Sequence, residues 1–299
     1  MKKLLIVSMF FFALILLAAC GSDEGTDNAS NGEEGSEDLL TQLKEEGTVT
    51  VGFANEAPYA YQEDGELKGA AVDIAQAVFK EMGIEKVESK LADFGQLIPG
   101  LNAGKFDVIT AGMAIKPDRC ENADFGAPEM QYGEGLIVQK GNPLDIHSYA
   151  DIAANPDITV SVMAGATEVE FLKQMGVSED QIQTASDIPG TFSAVASGRA
   201  DATTGTEMTV KMALKSAGND KLEFVEDFEQ PDIDGIPSYG AAAFHLDNDK
   251  LREAYNEQLA KLKEDGTVKK LLEANGFSAE GNSVPADITT EAICSGEIK

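Results

Sequence analysis

Leu97-Ile-Pro-Gly-Leu-Asn-Ala-Gly-Lys-Phe-Asp-Val-Ile-Thr-Ala-Gly112 reads as a short helix, a glycine stop and an apolar strand that runs up to a second glycine. The helix takes residues 97–103, Gly104 ends it, and residues 106–111 form the strand. The same punctuation returns later in the chain. Gly198-Arg-Ala-Asp201 repeats Gly104-Lys-Phe-Asp107, again between a helix (192–197) and a strand (200–203), and that strand also reaches a glycine, Gly205. Outward from the first copy, Thr48-Val-Thr-Val-Gly-Phe53 is β-rich. It precedes a helix with Val72, Ala75, Val78, Phe79 and Met82 at helical spacing and Gly83 at its stop. Outward from the second, residues 158–162 read as a strand and 168–175 as a helix stopped by Gly176. The pattern predicts an α/β fold of two similar lobes, each a mostly parallel sheet flanked by helices. Ligands of open α/β sheets bind beyond the carboxyl ends of the strands, so the strand ends should face a common cleft.

Asp64-Gly65, between residues 59–61 and 66–68, is a hairpin-turn signal. Past Gly235 a strand is expected over residues 239–244. A helix over 248–264 follows, with Leu251, Tyr255, Leu259 and Leu262 on one face, then a shorter one over 268–275. If this tail packs on the first lobe, the chain crosses between lobes twice, near residues 129–133 and 235–240, and the two connections form a hinge. The expected organisation is residues 39–130 with 239–299 in lobe I and 131–238 in lobe II.

Lys2 and Lys3 precede an apolar run over residues 4–19, shorter than the ~20 residues of a spanning helix. The run ends in Leu17-Ala-Ala-Cys20, which resembles the lipobox of bacterial lipoproteins. That implies a signal peptide over 1–19 and lipidation of Cys20. The alternatives are an ordinary signal peptide or an uncleaved anchor. Residues 21–38 are acidic and polar and read as a flexible stalk. A folded part of about 260 residues suits two domains. The net charge of −29 argues against nucleic acid as a partner. His147 and His245 are isolated, and no nucleophile, phosphate-loop or dinucleotide motif occurs, so neither a metal nor a cofactor is implied. Cys120 and Cys294 are the remaining cysteines. They are a disulfide candidate in an extracytoplasmic protein, the alternative being two buried thiols.

Gly47-Thr-Val-Thr-Val-Gly-Phe-Ala-Asn-Glu-Ala-Pro-Tyr59, the 97–107 stretch and Ala111-Gly-Met-Ala-Ile-Lys-Pro-Asp-Arg119 resemble the polar-amino-acid-type periplasmic binding proteins. The likeness runs from about residue 39 to 277. Within that family, Asn55-Glu-Ala-Pro-Tyr59, Arg119-Cys120 and Met163-Ala-Gly-Ala-Thr167 are similar to the ectoine/hydroxyectoine-binding proteins of ABC importers. The resemblance implies the two-lobe type II binding-protein fold. It also implies a monomer that holds a small zwitterion at the outer face of the cytoplasmic membrane and delivers it to membrane subunits of an importer.

Residue by residue, the resemblance assigns Arg119 to the ligand carboxylate, which a guanidinium fork matches bidentately. Backbone N–H groups of Gly112 and Ala114 and the hydroxyl of Thr167 would complete that anion site, with Glu168 beside them. The alternatives are a surface arginine and a plain helix cap. Amino-acid binders place an acid just after the second-lobe strand, where Thr206 stands here, so a compact ammonium would lose its main counter-charge. A delocalised cation such as the amidinium of ectoine would instead rest on Tyr59 and Phe94, with Glu56 as acidic partner. For the aromatics the alternative is ordinary packing, and for Glu56 a solvated charge. A third aromatic is expected where Ala114 stands, so the box is either incomplete, completed from elsewhere or shaped for another ligand. The second choice of ligand is a polar amino acid. A dehydratase-like enzyme and a receptor sensor domain are the rivals; no second catalytic group stands out, and no signalling module follows Lys299.

Overall fold

The computed structural model describes residues 38–298. The expected signal peptide over 1–19, the expected lipidation site Cys20 and residues 21–37 lie outside the described residues. Asp38, assigned to the stalk by composition, is instead a helix cap: it accepts from Thr41 N at 3.1 Å, ahead of the helix Leu39–Glu46.

The strands are β1 (Thr48–Phe53), β2 (Tyr61–Glu63), β3 (Glu66–Lys68), β4 (Lys86–Leu91), β5 (Val108–Ala114), β6 (Asp124–Phe125) and β7 (Met130–Tyr132). There follow β8 (Glu134–Gln139), β9 (Val160–Met163), β10 (Ile182–Ala185), β11 (Ala202–Thr206), β12 (Leu222–Phe224) and β13 (Ser238–Phe244). One sheet has the order β4-β1-β5-β13-β6, with β7 also on β13; the other has the order β10-β9-β11-β8-β12. The two orders are the same plan, with β1 answering to β9, β4 to β10, β5 to β11 and β13 to β8. Three strands in each sheet are parallel. The sheets are mostly parallel, as expected, and each carries one reversed strand, β13 in the first and β8 in the second. These are the strands by which the chain enters each sheet from the hinge, so they travel away from the cleft while their parallel neighbours travel toward it.

The repeated Gly-x-x-Asp has one job in both lobes. Asp107 Oδ2 accepts from Thr50 N, and Asp107 N donates to Thr50 O, each at 2.8 Å. Asp201 Oδ2 accepts from Thr159 N at 2.8 Å, and Asp201 N donates to Thr159 O at 2.8 Å. Each aspartate thus pins its strand to the parallel neighbour one residue before regular pairing starts. This is why the strands begin at Val108 and Ala202 and reach Ala114 and Thr206, later at both ends than the sequence suggests.

The helix Ala70–Glu81 covers the first sheet with the C-terminal helix Asp249–Glu264. Tyr255 sits at their junction, edge-on to Phe79 (5.4 Å) and Phe244 (5.3 Å). The tail therefore packs on the first lobe. It ends in a helix, Thr290–Cys294, whose Cys294 is bonded to Cys120 with a Cα–Cα separation of 5.8 Å. Crossing between sheets occurs at Gly133, since β7 pairs as far as Tyr132 with Ser238, and again through residues 225–237. Gln230 bridges these connections, accepting from Glu134 N and donating to Glu134 O, both at 2.7 Å. Among the described residues no helix is long and apolar enough to cross a membrane.

Candidate functional site: a pocket between two sheets

The carboxyl ends of β1, β5, β9 and β11 converge on a pocket. Glu56, Tyr59, Phe94, Gly112, Ala114, Arg119, Thr167, Glu168 and Thr206 all line it, so the structure brings every ligand-site expectation together. Ala111, Met163 and Ala166 supply apolar wall.

Glu56 and Tyr59 come from a tight turn after β1. Glu56 O accepts from both Tyr59 N and Ala60 N at 2.9 Å, and Glu56 N donates to Ala60 O at 2.8 Å. This turn, rather than a hairpin strand, holds Tyr59; β2 starts at Tyr61. Gly112 has φ +61°, and a β-carbon there would stand 2.4 Å from Tyr59 Cδ1. The glycine is thus required by both its backbone and its neighbour. Its carbonyl accepts from Tyr132 OH at 2.7 Å.

Arg119 is 9% exposed and so is not a surface arginine. It donates to Ala114 O (2.9 Å) in its own lobe and to Gly165 O (2.9 Å) across the cleft, and lies 5.5 Å from the Phe94 ring centroid. A guanidinium has five N–H donors, so three remain for another partner. Burial pulls its pKa below the usual arginine value, from a level so high that it stays charged.

Thr167 precedes the helix Glu168–Gln174 but makes no capping bond, and its hydroxyl donates to Glu168 Oε2 at 3.4 Å. Glu56 is buried rather than solvated. Thr209 Oγ1 donates to its Oε1 at 2.8 Å and itself accepts from Thr206 Oγ1 at 2.9 Å. Desolvation, reinforced by the Glu168 charge, pushes the Glu56 carboxyl up to about 7. Burial raises Glu168 as well. The Tyr59 hydroxyl lies beside Thr206 without a well-formed hydrogen bond.

Two residues escaped the sequence reading. Tyr132, on the last position of β7, lines the pocket 5.3 Å from Tyr59 in an edge contact and is the third aromatic that Ala114 does not supply. Glu134, the first residue of β8 and in register with Thr206 of β11, is buried, and desolvation, then the neighbouring Glu168 charge, pushes its carboxyl well above the usual range. Position 206 is a threonine, and the acids that line the pocket are Glu56 and Glu168. The lobes meet around the pocket. Besides Arg119–Gly165 and Thr209–Glu56, Lys116 pairs with Glu170, and a β-carbon on Gly165 would stand 2.7 Å from Gly95 Cα.

Residues 49–276 match the family of bacterial extracellular solute-binding proteins, family 3. The chain belongs to this family. A family member from Sinorhizobium fredii, a probable amino-acid ABC transporter periplasmic-binding protein (y4tE), is 38% identical over 261 residues, covering 86% of each chain. The crystal structure of EhuB in complex with hydroxyectoine superposes with a TM-score of 0.78 and 34% identity, covering 86% of this chain and 97% of that one. An ancestral amino acid-binding protein, AncCDT-1, described as a precursor of cyclohexadienyl dehydratase, matches with a TM-score of 0.68 and 30% identity over 79% of this chain and 98% of its own. The two sheets share a plan and the pocket lies between them.

Proposed function

We propose that this chain is the ligand-capturing protein of an ABC importer, lipid-anchored through Cys20 at the outer face of the cytoplasmic membrane. Residues 39–130 with 239–299 and residues 131–238 would act as the two halves of a monomer that closes on a small zwitterion of the ectoine type. The observation that carries the reading is the polarity of the pocket. One guanidinium with free donors, two buried acids (Glu56 and Glu168) and the rings of Tyr59, Phe94 and Tyr132 all line it. Arg119 would take the ligand carboxylate, with the Thr167 hydroxyl beside it. The aromatic faces would hold a diffuse cation, at ~0.5–2 kcal/mol each, with Glu56 and Glu168 as counter-charges. The hydroxyectoine complex of EhuB supports this ligand class.

A polar amino acid is the second reading. Its specific support is the pair of pocket carboxylates, which would serve an α-ammonium, together with the amino-acid designation of the Sinorhizobium relative. Both readings make the protein a carrier rather than an enzyme. Calorimetry on the ligand-stripped protein with ectoine, hydroxyectoine, L-glutamine, L-arginine and L-cystine separates them. Binding of an ectoine in preference to all three amino acids is expected. Binding of an amino acid alone would replace the first reading by the second, and turnover of any bound compound on long incubation would sink both.

A further inference from the structure

Glu134 follows the crossing at Gly133 and is 1% exposed. Gln230 holds its backbone on both sides. Its Oε2 is reached only by Tyr149 OH at 3.4 Å, and that hydroxyl has a nearer partner in Thr204 Oγ1 at 2.5 Å. Its Oε1 has no donor at all. Its remaining neighbour is Glu168, itself 3% exposed and part of the pocket wall. Two desolvated carboxyl groups in contact do not both ionise; one keeps a proton and donates it to the other. The other groups facing this pair are Glu56, Arg119, Tyr59, Tyr132 and Tyr149. The phenols are buried and neutral, so one guanidinium stands against three carboxylates. The empty pocket has too little positive charge to ionise all three.

We propose that Glu134 is a specificity-determining residue: it shares a proton with Glu168 while the pocket is empty and releases it to solvent when a ligand cation settles against Glu168. The inference rests on the pocket being the ligand site. The balance is simple. The acid O–H bond breaks, the proton passes to buffer, and the pair goes from one negative charge to two; the ligand's cationic group against Glu168 compensates this locally, while the ligand carboxylate is paired with Arg119. A ligand whose far end is neutral gains nothing from this exchange, so the pair selects for a cation without occupying pocket volume. Glu134 acts through Glu168 and is a positioning residue in that sense.

Linkage gives the sign. Binding that releases protons strengthens as pH rises, by up to about tenfold per pH unit for one proton, until the empty pair has lost its proton. The test uses hydroxyectoine and L-arginine as probes at about pH 8.5, where Glu56, at about 7, is already ionised and drops out. Calorimetry in two buffers of different ionisation enthalpy counts the protons. The wild-type protein should release a substantial fraction of one proton. Glu134→Gln, which offers Glu168 an amide donor instead of an acid, should still bind but release none and lose the slope. A wild-type protein that binds without releasing protons, or a Glu134→Gln variant that releases as many, overturns the proposal.

If neither probe binds, the empty protein decides. Infrared spectroscopy of the wild-type protein at the same pH should show a carboxylic-acid C=O band, absent from Glu134→Gln. With the band present the shared proton stands although the ligand assignment has failed, and with it missing the proposal falls whatever the ligand. Neither the wild-type proton count nor the wild-type band depends on the variant folding.

Discussion

Gly112→Ala perturbs the pocket through a single methyl group, and its cost separates into two parts. The first is backbone strain: an L-residue at φ +61° costs ~1–2 kcal/mol. The second is contact. The new carbon would lie 2.4 Å from Tyr59 Cδ1 and 3.1 Å from Cγ, well inside the ~3.5–4.0 Å at which carbons attract. Tyr59 cannot simply step back, because Tyr132 and Phe277 pack edge-on against it at 5.3 and 5.2 Å. Overpacking of this kind costs about 1–3 kcal/mol, for a total of about 2–5 kcal/mol.

Gly104→Ala is the matched control. Its φ is +65°, but nothing lies within 4 Å of the added carbon, so it should cost only the strain part, ~1–2 kcal/mol. Urea denaturation of both variants gives the difference. Calorimetry should then show Gly104→Ala binding like wild type, while Gly112→Ala loses about tenfold or more through the displaced Tyr59 ring. Equal destabilisation by the two substitutions, or unchanged ligand affinity in Gly112→Ala, would refute the claim that this glycine exists to seat Tyr59.

Arg119→Ala should weaken ligand binding by about 2–4 kcal/mol, because a desolvated carboxylate loses its charged partner; calorimetry showing no loss would remove the basis for orienting the ligand. Replacing Cys120 and Cys294 with Ser opens a loop of sequence separation 174 and should lower stability in denaturant by about 3–5 kcal/mol with affinity little changed, since neither cysteine lines the pocket. Glu129 is buried, accepts from Tyr255 OH at 2.7 Å and is pushed by desolvation from 4.5 to about 7. Its folded pKa is raised, so the folded state binds the extra proton and stability falls as pH rises from about 4.5 to 7; at ~1.4 kcal/mol per unit, Glu129→Gln should remove up to about 3 kcal/mol of that fall, and parallel pH–stability curves for variant and wild type would contradict it. Cys20→Ser should move the protein from the membrane fraction to the medium or periplasm, and unchanged retention would count against the anchor.

The plan of two lobes was legible because glycine stops and apolar periods are local properties. Gly104 and Gly198 are left-handed with φ of 65° and 72°, a requirement that shows in one residue type. The job of Asp107 and Asp201 was not legible, because the strands they pin are 57 and 42 residues away. Other misses had a signal. Thr289 caps the helix Thr290–Cys294 by accepting from Ala292 N at 3.2 Å, and Gly218, in the left-handed region at φ 54°, stops the unread helix Glu207–Ala217. Tyr132 and Glu134 had none. Each is an ordinary residue on a strand, and what makes it matter is the pairing of β7 with β13 and of β8 with β11, which carries both to the cleft.

The contacts between lobes also bear on how closure works. An exposed ion pair such as Lys116–Glu170 is worth ~0–1 kcal/mol, and hydrogen bonds such as Arg119–Gly165 and Thr209–Glu56 net about 1 kcal/mol each. Against this stands the cost of enclosing Glu56, Glu134 and Glu168 with one guanidinium. Driving a population from 1:99 to 99:1 takes ~5.5 kcal/mol of differential binding, more than any one of these contacts supplies. Arg119 spans both lobes, and Glu56 is tied to the second lobe through Thr209, so the groups proposed to hold the ligand are the same groups that join the lobes. A ligand carboxylate on Arg119 and a cation between Glu56 and Glu168 would offset the buried charges only when both lobes contribute. Charge pairing, more than added contact area, would then be what makes the closed form depend on the ligand.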